Sequence, residues 1–532
     1  MKKYLKSKLD SLTTDQKELF DEMQKNNLLQ ICIPTGAGKG YLMIVDLLNQ
    51  VVKSNSNVFA ISSHRLMLNT QHLNDIFDVL SPMLGDIGFI FVGSSGFDHS
   101  KFQSNSDFNS QLLKRGLSYN EIVTSTTRKS DVEENVKRHI EAGRKVIILT
   151  TYHSLHTLKG LKIDTIYNDE AHTLATESDT AQFRDNFVLI NYKRCFFMTA
   201  TPKDCTNSDE SFLMNNESVF GKRIGLNFRE CVERGYIVRP VVHIAMPSDY
   251  NVDDHFDTPQ NMAKFVTETF LAHRDFIKNS SAYPDRIAPK MLVKCSSVDD
   301  MWDIHSLLLG TIPGVKICAG ASRNPKSSLN HYIDSEGISD RSQYLENIQN
   351  FLEEEMAIVL HYDTMSEGIN VAGFTATQFL SGKLPTITKT LQNTGRSTRL
   401  HKFDRDRLKT GEIITTDYSN WVKPYCAVII PYWDNKSEFT AKQLAKEIRD
   451  LRDNFDFNPS YLVSVGTDIG RGGDDEEMTG LNSKDKLDKK SKIVEEIDNE
   501  IESLDVLAAQ SAQSQKVNNL TIDEWFNLAN DL

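Results

Sequence analysis

The sequence has few cysteines, no long apolar run and no excess of positive charge, and each of these features excludes a class of protein. None of its seven cysteines forms a Cys-x-x-Cys pair, so neither a zinc site nor a disulfide framework is expected, and a reducing compartment fits. Apolar runs such as KVIILTT at 145–151 are much shorter than the roughly 20 residues that cross a bilayer. The first residues, MKKYLKSKLDSL, lack the apolar core of a signal peptide. We therefore expect a protein that is neither secreted nor held in a membrane.

The negative charge is concentrated towards the C-terminal end. Residues 471–532 carry −8 of the formal net charge of −13, which leaves −5 on the preceding 470 residues. A nearly neutral body can carry a basic groove, because contact with phosphate depends on local charge. The overall acidity therefore does not exclude nucleic acid as a partner.

A chain of 532 residues is too long for one hydrophobic core, and two or three domains are expected. Short apolar runs alternate with longer helical patterns, and these runs lack the apolar–polar alternation of half-exposed strands. The predicted strands form two series, 28–33, 57–62, 88–93, 145–150, 164–169 and 195–200, then 290–295, 314–320, 356–362 and 425–433. The pattern predicts an α/β protein with two parallel sheets in tandem.

The expected domains are 1–222 and 241–435, joined by a connector at 223–240 that contains a charged helix, a Gly-Tyr stop and a proline. Residues 436–532 are expected to form a helical, acidic extension, in which the Gly- and acid-rich stretch near 465–480 is a flexible linker. The tail beyond it has one apolar stripe at helical spacing. It can pack on its own body, cover a basic groove or dock a protein partner through the final TIDEWFNLANDL.

The stretch ICIPTGAGKGYL at 31–42 predicts a phosphate-binding loop. A strand ends at Ile33 and a helix begins near Lys39, so backbone N–H groups and the helix dipole would face a phosphate while Lys39 reaches its oxygens. The loop residues are Pro34, Thr35, Gly36, Ala37, Gly38 and Lys39, followed by Gly40 where such loops carry a Mg²⁺-binding Ser or Thr. A Gly-rich turn without a ligand is the alternative for this stretch alone.

Two further stretches are expected beside that loop. IYNDEAHT places Asp169 and Glu170 at the end of a predicted strand, where in a parallel sheet they face the same crevice as the phosphate loop. Asp169 is the candidate Mg²⁺ ligand, and Glu170 can orient the attacking water. FFMTATPKD places Thr199, Ala200 and Thr201 after another strand. Each stretch alone also fits an ordinary turn at the end of a strand.

The second half of the chain contributes its own polar stretches. DTMSEGINVAGF contains Gly368 and Asn370, and LQNTGRSTRL contains Gln392, Arg396 and Arg399. The two arginines are three residues apart and can share one helical face. Guanidinium groups that enter from a second domain can neutralise charge on a transferring phosphoryl group. A solvated basic helix end is the alternative for Arg-x-x-Arg alone.

In this order, on two tandem α/β halves, these motifs resemble those of the superfamily 2 helicases of the DEAH type, over roughly residues 8–435. The connector GLNFRECVERGYIVRP looks like that of the restriction-enzyme translocase and phage recombination helicase branch. The resemblance implies two RecA-like domains and an ATP- and Mg²⁺-dependent helicase or translocase that moves along nucleic acid, with DNA favoured. It implies catalytic roles for Lys39, Asp169, Glu170, Gln392, Arg396 and Arg399.

The resemblance also implies roles for positions outside the catalytic set. Gln16 would read adenine, and Asn370, with Gly368 close in sequence, would lie near the ribose. The residues that couple hydrolysis to domain closure would be His172, Thr199, Ala200 and Thr201. The nucleic-acid backbone would contact segments 61–71 and 150–155, with the candidates Ser63, His64, Arg65, Thr151 and Tyr152.

Gly40 departs from the family pattern because glycine offers no hydroxyl to Mg²⁺. Loss of one neutral ligand is expected to weaken metal binding by ~1–2 kcal/mol, which raises the Mg²⁺ requirement without abolishing activity. One alternative is an ATP-binding scaffold with weak hydrolysis. Another is the motor subunit of a restriction complex whose nuclease lies on another chain, since no nuclease carboxylate cluster follows residue 435.

The setting is expected to be the cytoplasm, or a nucleoid or replication site, with a monomer or weak oligomer. An origin in a phage, virus or mobile element fits the branch.

Overall fold

The computed structural model describes residues 1–53, 55–64, 66–93, 100–175, 181–204, 213–246, 258–320, 332–334, 337–339, 348, 355–362, 373–380, 394–431, 445–446, 449 and 462–466.

The first parallel sheet is built from the N-terminal half of the chain. Its strands are β1 (Leu28–Cys32), β2 (Val58–Ser63), β3 (Ile87–Val92), β4 (Val123–Thr126), β5 (Lys145–Thr151), β6 (Lys162–Asp169), β7 (Asn191–Thr199) and β8 (Lys222–Gly225). Their order across the sheet is β4-β3-β5-β2-β6-β7-β1-β8, and every pairing is parallel.

The second sheet follows in the C-terminal half. Its strands are β9 (Arg239–Met246), β10 (Lys290–Lys294), β11 (Val315–Gly320), β12 (Tyr332–Asp334), β13 (Gly337–Ser339), β14 (Met356–His361), β15 (Ala376–Phe379), β16 (Tyr425–Pro431) and β17 (Leu462–Gly466). Their order is β13-β12-β11-β14-β10-β15-β16-β9-β17. The pairings are parallel except those of β12 with β11 and β13.

Helices connect the strands in both halves. In the described part they are α1 (Lys2–Asp10), α2 (Thr14–Lys25), α3 (Lys39–Lys53), α4 (Leu66–Leu80), α5 (Ser100–Ser104), α6 (Ser106–Arg115), α7 (Tyr119–Ile122), α8 (Lys129–Glu141), α9 (Ala181–Phe187), α10 (Glu217–Phe220), α11 (Phe228–Glu233), α12 (Pro259–Ser280), α13 (Val298–Leu308) and α14 (Lys402–Thr410). Among these helices, none is both long and apolar enough to pass through a bilayer.

Alternate residues of the central strands pack into two separate hydrophobic cores on opposite faces of the sheet. On β2, Phe59 and Ile61 join one buried cluster, whereas Val58 and Ala60 join another on the opposite face of the sheet. Strands buried on both faces need apolar side chains at successive positions, which is the pattern that the sequence shows. The predicted α/β class with two tandem parallel sheets is confirmed.

The expected connector at 223–240 is largely structured. β8 starts at Lys222 and adds an edge strand to the first sheet, α11 follows, and Arg239 already begins β9 of the second sheet. β17 likewise pairs with β9, although its residues lie in the stretch assigned to the C-terminal extension. The acidic tail and most of the predicted linker near 465–480 lie outside the described residues.

Candidate nucleotide-binding site

Three of the predicted motifs meet at one edge of the first sheet. β6, β7 and β1 are neighbours in the sheet, and their register pairs Asp169 with Met198 and Cys32 with Thr199. The loop after β1, the acidic pair at the end of β6 and Thr199 at the end of β7 therefore lie side by side at the carboxyl ends of parallel strands, where open α/β sheets bind ligands.

The loop after β1 has the backbone of a phosphate cradle. Gly36 and Gly38 have φ values of +92° and +90°, which side chains rarely adopt. A Cβ on Gly38 would lie 2.4 Å from the side-chain nitrogen of Gln16. Lys39 then begins the 15-residue helix α3, whose first N–H groups point into the loop. The loop thus offers backbone donors and a positive helix end to an anion.

The side-chain amide of Gln16 forms hydrogen bonds both at the start of its own helix and with the loop. Its Oε1 accepts a hydrogen bond from the Thr13 N–H at 3.1 Å, which closes the capping box of α2. Its Nε2 donates to the Gly38 carbonyl at 3.3 Å and lies 3.5 Å from the Ala37 carbonyl. The residue expected to read adenine is therefore fixed against the phosphate loop.

Lys39 reaches both carboxylates at the end of β6. Its Nζ lies 2.9 Å from Asp169 Oδ1 and 3.0 Å from Glu170 Oε1, and its side chain is 12% exposed. Burial lowers the pKa of Lys39, but the two negative charges outweigh burial and hold that pKa above its usual range. Burial raises the pKa of Asp169, but Lys39 and His72 more than offset it, so that pKa lies well below its usual range. Lys39 and Asp169 are therefore both ionised at neutral pH.

The acidic loop is held in an uncommon conformation. Glu170 is the one non-glycine residue of the described part with positive φ, at +52°. The carbonyl oxygen of Asp169 accepts a hydrogen bond of 2.6 Å from the hydroxyl of buried Tyr152. His172 Nδ1 lies 3.0 Å from Thr199 Oγ1, which also accepts from the Thr201 N–H at 3.1 Å. Neighbouring β6 and β7 are therefore linked through the predicted coupling residues; Ala200 lies between the two threonines.

The second half of the chain touches the phosphate loop directly. A Cβ on Gly36 would lie 3.3 Å from Arg399 Cγ and 3.4 Å from the Gly395 carbonyl oxygen, and one on Gly395 would lie 2.5 Å from Thr35 Cβ. Burial lowers the pKa of Arg399 to about 10, and this group remains cationic at neutral pH. Arg396, three residues earlier, is 4% exposed. The structure thus brings the segment of both arginines to the loop that carries Lys39.

Buried Lys423 holds the chain around Arg399. Its Nζ donates to the carbonyl oxygens of Phe374 at 2.6 Å, Ser397 at 2.6 Å and Arg399 at 2.9 Å. Burial lowers the pKa of Lys423 to about 8. Because three carbonyls share one ammonium, the backbone on both sides of the arginine is fixed. The sequence reading did not single out this lysine.

Helix α4 supplies two site residues that the sequence reading also missed. His72 Nε2 lies 3.1 Å from Asp169 Oδ2, and Asp75, three residues later, comes close to Gly40. Burial raises the pKa of the Asp75 carboxyl, which His72 and Arg399 oppose. His72 and Asp75 share one helical face, but nothing in the sequence tells which strand that face meets.

The candidates for nucleic-acid contact are mostly buried. Ser63 and Thr151 pair at the ends of β2 and β5 and are 0% and 7% exposed. Tyr152 is 0% exposed and is bonded to the acidic loop, so a direct contact between its side chain and nucleic acid is a prediction that needs correction. His64 is partly exposed and stays a candidate. Four of the predicted site residues lie outside the described residues, namely Arg65, Gly368, Asn370 and Gln392.

The residues present fit a nucleotide with Mg²⁺. The glycine cradle excludes any side chain where a phosphate would approach, and Lys39 with the start of α3 supplies positive charge. Within the described residues, no group of three or more acidic, His or Cys side chains is arranged to hold a metal alone. Mg²⁺ in nucleotide sites takes one or two carboxylates and completes its shell with phosphate oxygens and water, so Asp169 is a suitable ligand.

Comparisons with known proteins agree with this geometry. Residues 3–204 match the family described as type III restriction enzyme, res subunit, a superfamily 2 helicase-like domain. The resemblance to superfamily 2 translocases near the restriction-enzyme branch is thereby confirmed on this segment. No curated protein matches the chain.

A solved structure with a TM-score above 0.5 shares the fold at low sequence identity, and others are similar at lower scores. The ATP-dependent Type ISP restriction-modification enzyme LlaBIII bound to DNA is 13% identical with a TM-score of 0.58, over 92% of this chain and 33% of that one. This chain thus spans about a third of that enzyme. S. cerevisiae Dbp5 bound to RNA and ADP BeF3 is 11% identical with a TM-score of 0.49, over 91% and 93% of the two chains. The Mycobacterium smegmatis helicase Lhr is 13% identical with a TM-score of 0.47, over 85% and 49%.

Proposed function

We propose that this chain, whose residues 3–204 carry a superfamily 2 helicase-like domain, is an ATP-driven motor that moves along DNA. The observation that carries the proposal is the contact of Gly395 and Arg399 in the second half with Thr35 and Gly36 in the phosphate loop of the first. A cleft with a phosphate loop on one wall and arginines on the other can open and close with the state of a bound triphosphate. LlaBIII, which shares the fold, was solved bound to DNA, and this favours DNA as the track.

Under this proposal, the site residues of the first half bind the nucleotide or take part in its hydrolysis. The N–H groups at the start of α3 and Lys39 would hold the phosphates, and Lys39 would exchange its carboxylate contacts for phosphate oxygens. Asp169 would hold Mg²⁺, which would supply positive charge to those oxygens. Glu170, released from Lys39, would orient the attacking water.

The second half would complete the site when the cleft closes. Arg399 is cationic at neutral pH and already lies at the phosphate loop, so it can stabilise charge on the transferring phosphoryl group, with Arg396 beside it. The bond between His172 and Thr199 would pass movement of the acidic loop to β7. Opening and closing would then move the two halves along a strand that is held mainly by its phosphates, so DNA binding should weaken steeply with salt.

The test is ATP hydrolysis by the wild type and two variants, with and without single-stranded DNA, duplex, forked DNA and RNA. We expect DNA to stimulate hydrolysis. Lys39→Ala should lose nucleotide affinity and hydrolysis, whereas Arg399→Ala should lose hydrolysis and keep nucleotide binding. Lys409→Ala, which removes an exposed positive charge from α14, is the control and should resemble the wild type. Hydrolysis that no nucleic acid changes and Lys39→Ala leaves intact would defeat the proposal.

The same panel distinguishes a motor from an ATP-binding scaffold. A scaffold would bind nucleotide with measurable affinity and show no DNA-stimulated release of phosphate. The retained ion pairs of Lys39 with Asp169 and Glu170 favour the motor, because a scaffold needs no water-orienting carboxylate.

A second candidate is the motor subunit of a restriction complex, which the family match of residues 3–204 favours. Such a motor would travel on duplex DNA without separating the strands. Displacement of a third strand from a triplex, measured beside unwinding of a fork, separates the two activities. Triplex displacement alone supports the restriction motor, and fork unwinding supports the helicase.

A further inference from the structure

The carboxylate of Asp75 lies beside Gly40, the position at which phosphate loops usually carry the hydroxyl of a Ser or Thr. A Cβ on Gly40 would lie 3.4 Å from Asp75 Oδ2, which is an ordinary contact distance. Gly40 directly follows Lys39, and both stand in the first turn of α3. The Asp75 carboxylate therefore borders the space that a Ser or Thr side chain would fill.

The helix that carries Asp75 is anchored to the candidate metal ligand. One turn before Asp75 on α4, His72 Nε2 lies 3.1 Å from Asp169 Oδ2. Residues three apart on a helix share a face, so the face that meets Asp169 is the one that presents Asp75. The two carboxylates, one at the end of β6 and one on α4, lie near enough for the charge of Asp169 to raise the pKa of Asp75.

Asp75 has no partner among the residues that the structure describes. It is partly buried, and no hydrogen bond or ion pair reaches its carboxylate there, although the charges of His72 and Arg399 are near enough to act on it. Asp78, one turn further on, is more exposed and pairs with Lys8 at 3.0 Å. Partial burial disfavours the charged form of the Asp75 carboxylate, and a cation at the site would offset that cost.

We propose that the Asp75 carboxylate supplies the Mg²⁺ ligand that Gly40 lacks, directly or through one metal-bound water. This inference rests on the proposed function, since it concerns the metal that accompanies the nucleotide. A carboxylate is a stronger ligand for Mg²⁺ than a neutral hydroxyl because Mg²⁺ prefers charged oxygen. The wild type would then need no more Mg²⁺ than a phosphate loop with Ser or Thr, contrary to the expectation from Gly40 alone.

The test compares the binding of fluorescent ADP across a Mg²⁺ titration and in EDTA. Asp75→Asn should raise the Mg²⁺ concentration at half effect about tenfold or more while leaving the metal-free affinity unchanged. Mn²⁺ binding to the protein–ADP complex, followed by electron paramagnetic resonance, should weaken in parallel. Asp78→Asn on the same helix is the control and should match the wild type. If Asp75→Asn does not fold, Asp75→Ser takes its place.

A second substitution makes the test reciprocal. Gly40→Ser restores the missing hydroxyl, so it should change the Mg²⁺ dependence little in the wild type but recover severalfold of the loss in the Asp75→Asn background.

Three results would count against the proposal. An unchanged Mg²⁺ dependence in Asp75→Asn would overturn it. An equal loss of affinity with and without metal would overturn it too and point to a role in pairing with Arg399. If the wild type itself binds no nucleotide with Mg²⁺, the proposed function fails along with this inference.

Discussion

The sharpest prediction compares alanine at two glycines of the same loop. Gly38 has φ +90°, and a Cβ there would lie 2.4 Å from Gln16 Nε2. Gly40 has no such φ, and its nearest neighbour to a Cβ is Asp75 at 3.4 Å. Gly38→Ala should therefore disrupt the loop, whereas Gly40→Ala should be tolerated and even favoured within α3.

The magnitude follows from two terms. Alanine held at φ +90° costs roughly 1–3 kcal/mol. Displacement of Gln16 removes its long hydrogen bonds to the carbonyls of Ala37 and Gly38, worth about 1 kcal/mol together. The sum of about 2–4 kcal/mol corresponds to a loss of roughly 30-fold to 1,000-fold in nucleotide affinity.

Calorimetric titration with ADP measures the loss of nucleotide affinity, and thermal melting measures the loss of stability; the energy of the substitution can reduce either quantity. It lowers the affinity if the unbound loop relaxes around the methyl group, and it lowers the melting temperature if the loop does not relax. Gly40→Ala is the matched control, with both quantities close to the wild type. Gly38→Ala with less than about 0.5 kcal/mol of change in the two quantities together would refute this account of the loop.

Three more predictions concern the second half. Gly395→Ala should keep nucleotide binding but reduce ATP hydrolysis at least tenfold. The reason is that the added Cβ would lie 2.5 Å from Thr35 Cβ and would hold the cleft open. Equal losses of binding and turnover would contradict this prediction. Lys423→Met should lower the melting temperature and hydrolysis together, because two buried carbonyls and one partly buried carbonyl lose their donor at about 1–3 kcal/mol each. An unchanged melting curve would count against this prediction. Burial, with His243 and Lys423 adding to it, lowers the pKa of His273 to about 3, below the unfolded value near 6.5. The folded state therefore loses stability as the pH falls from 6.5 towards 3, by about 2 kcal/mol between pH 7 and 5. Urea unfolding at both pH values should show a smaller pH effect for His273→Gln than for the wild type, with His156→Gln, at an exposed site, as the control.

The sequence predicted the strands that are buried on both faces and missed several at the margins. KVIILT at 145–150 is apolar at successive positions, and β5 is observed at Lys145–Thr151. β4, with the sequence VTST, and β8, with KRIG, carry no such signal. Both are four-residue edge strands that exist because a neighbouring strand offers backbone partners, and that pairing is not written in the local sequence.

The residues of the candidate site also fall into two groups, those that the sequence could place and those that it could not. Lys39, Asp169 and Thr199 could be placed at one edge because the carboxyl ends of neighbouring parallel strands coincide. His72 and Asp75 could not, since polar residues on an amphipathic helix usually face water. The contact of His72 with Asp169 spans 97 residues and depends on how α4 lies over the sheet. Such contacts follow from tertiary packing, which a local pattern does not encode.

The connector is hydrogen-bonded both to α2 and to the segment that carries Arg399. Asp15 on α2 accepts hydrogen bonds from Arg234 and from the hydroxyl of Tyr236. Two residues further on, the Val238 N–H donates to the Thr398 carbonyl at 2.7 Å. The same short segment therefore contacts the first half through Asp15 and the second half next to its arginine.

This continuity bears on how binding at the base could influence the phosphates. Gln16, which the family resemblance assigns to adenine, is the neighbour of Asp15, and Arg399 is the neighbour of Thr398. A rigid connection needs few links to transmit a displacement, and here a shift of α2 must either break the bonds of Asp15 or carry the connector with it. Since the connector is bonded to the backbone beside Arg399, we expect a movement of α2 to displace the segment that carries this arginine. The two halves are therefore joined beside the candidate nucleotide site by hydrogen bonds as well as by the chain itself.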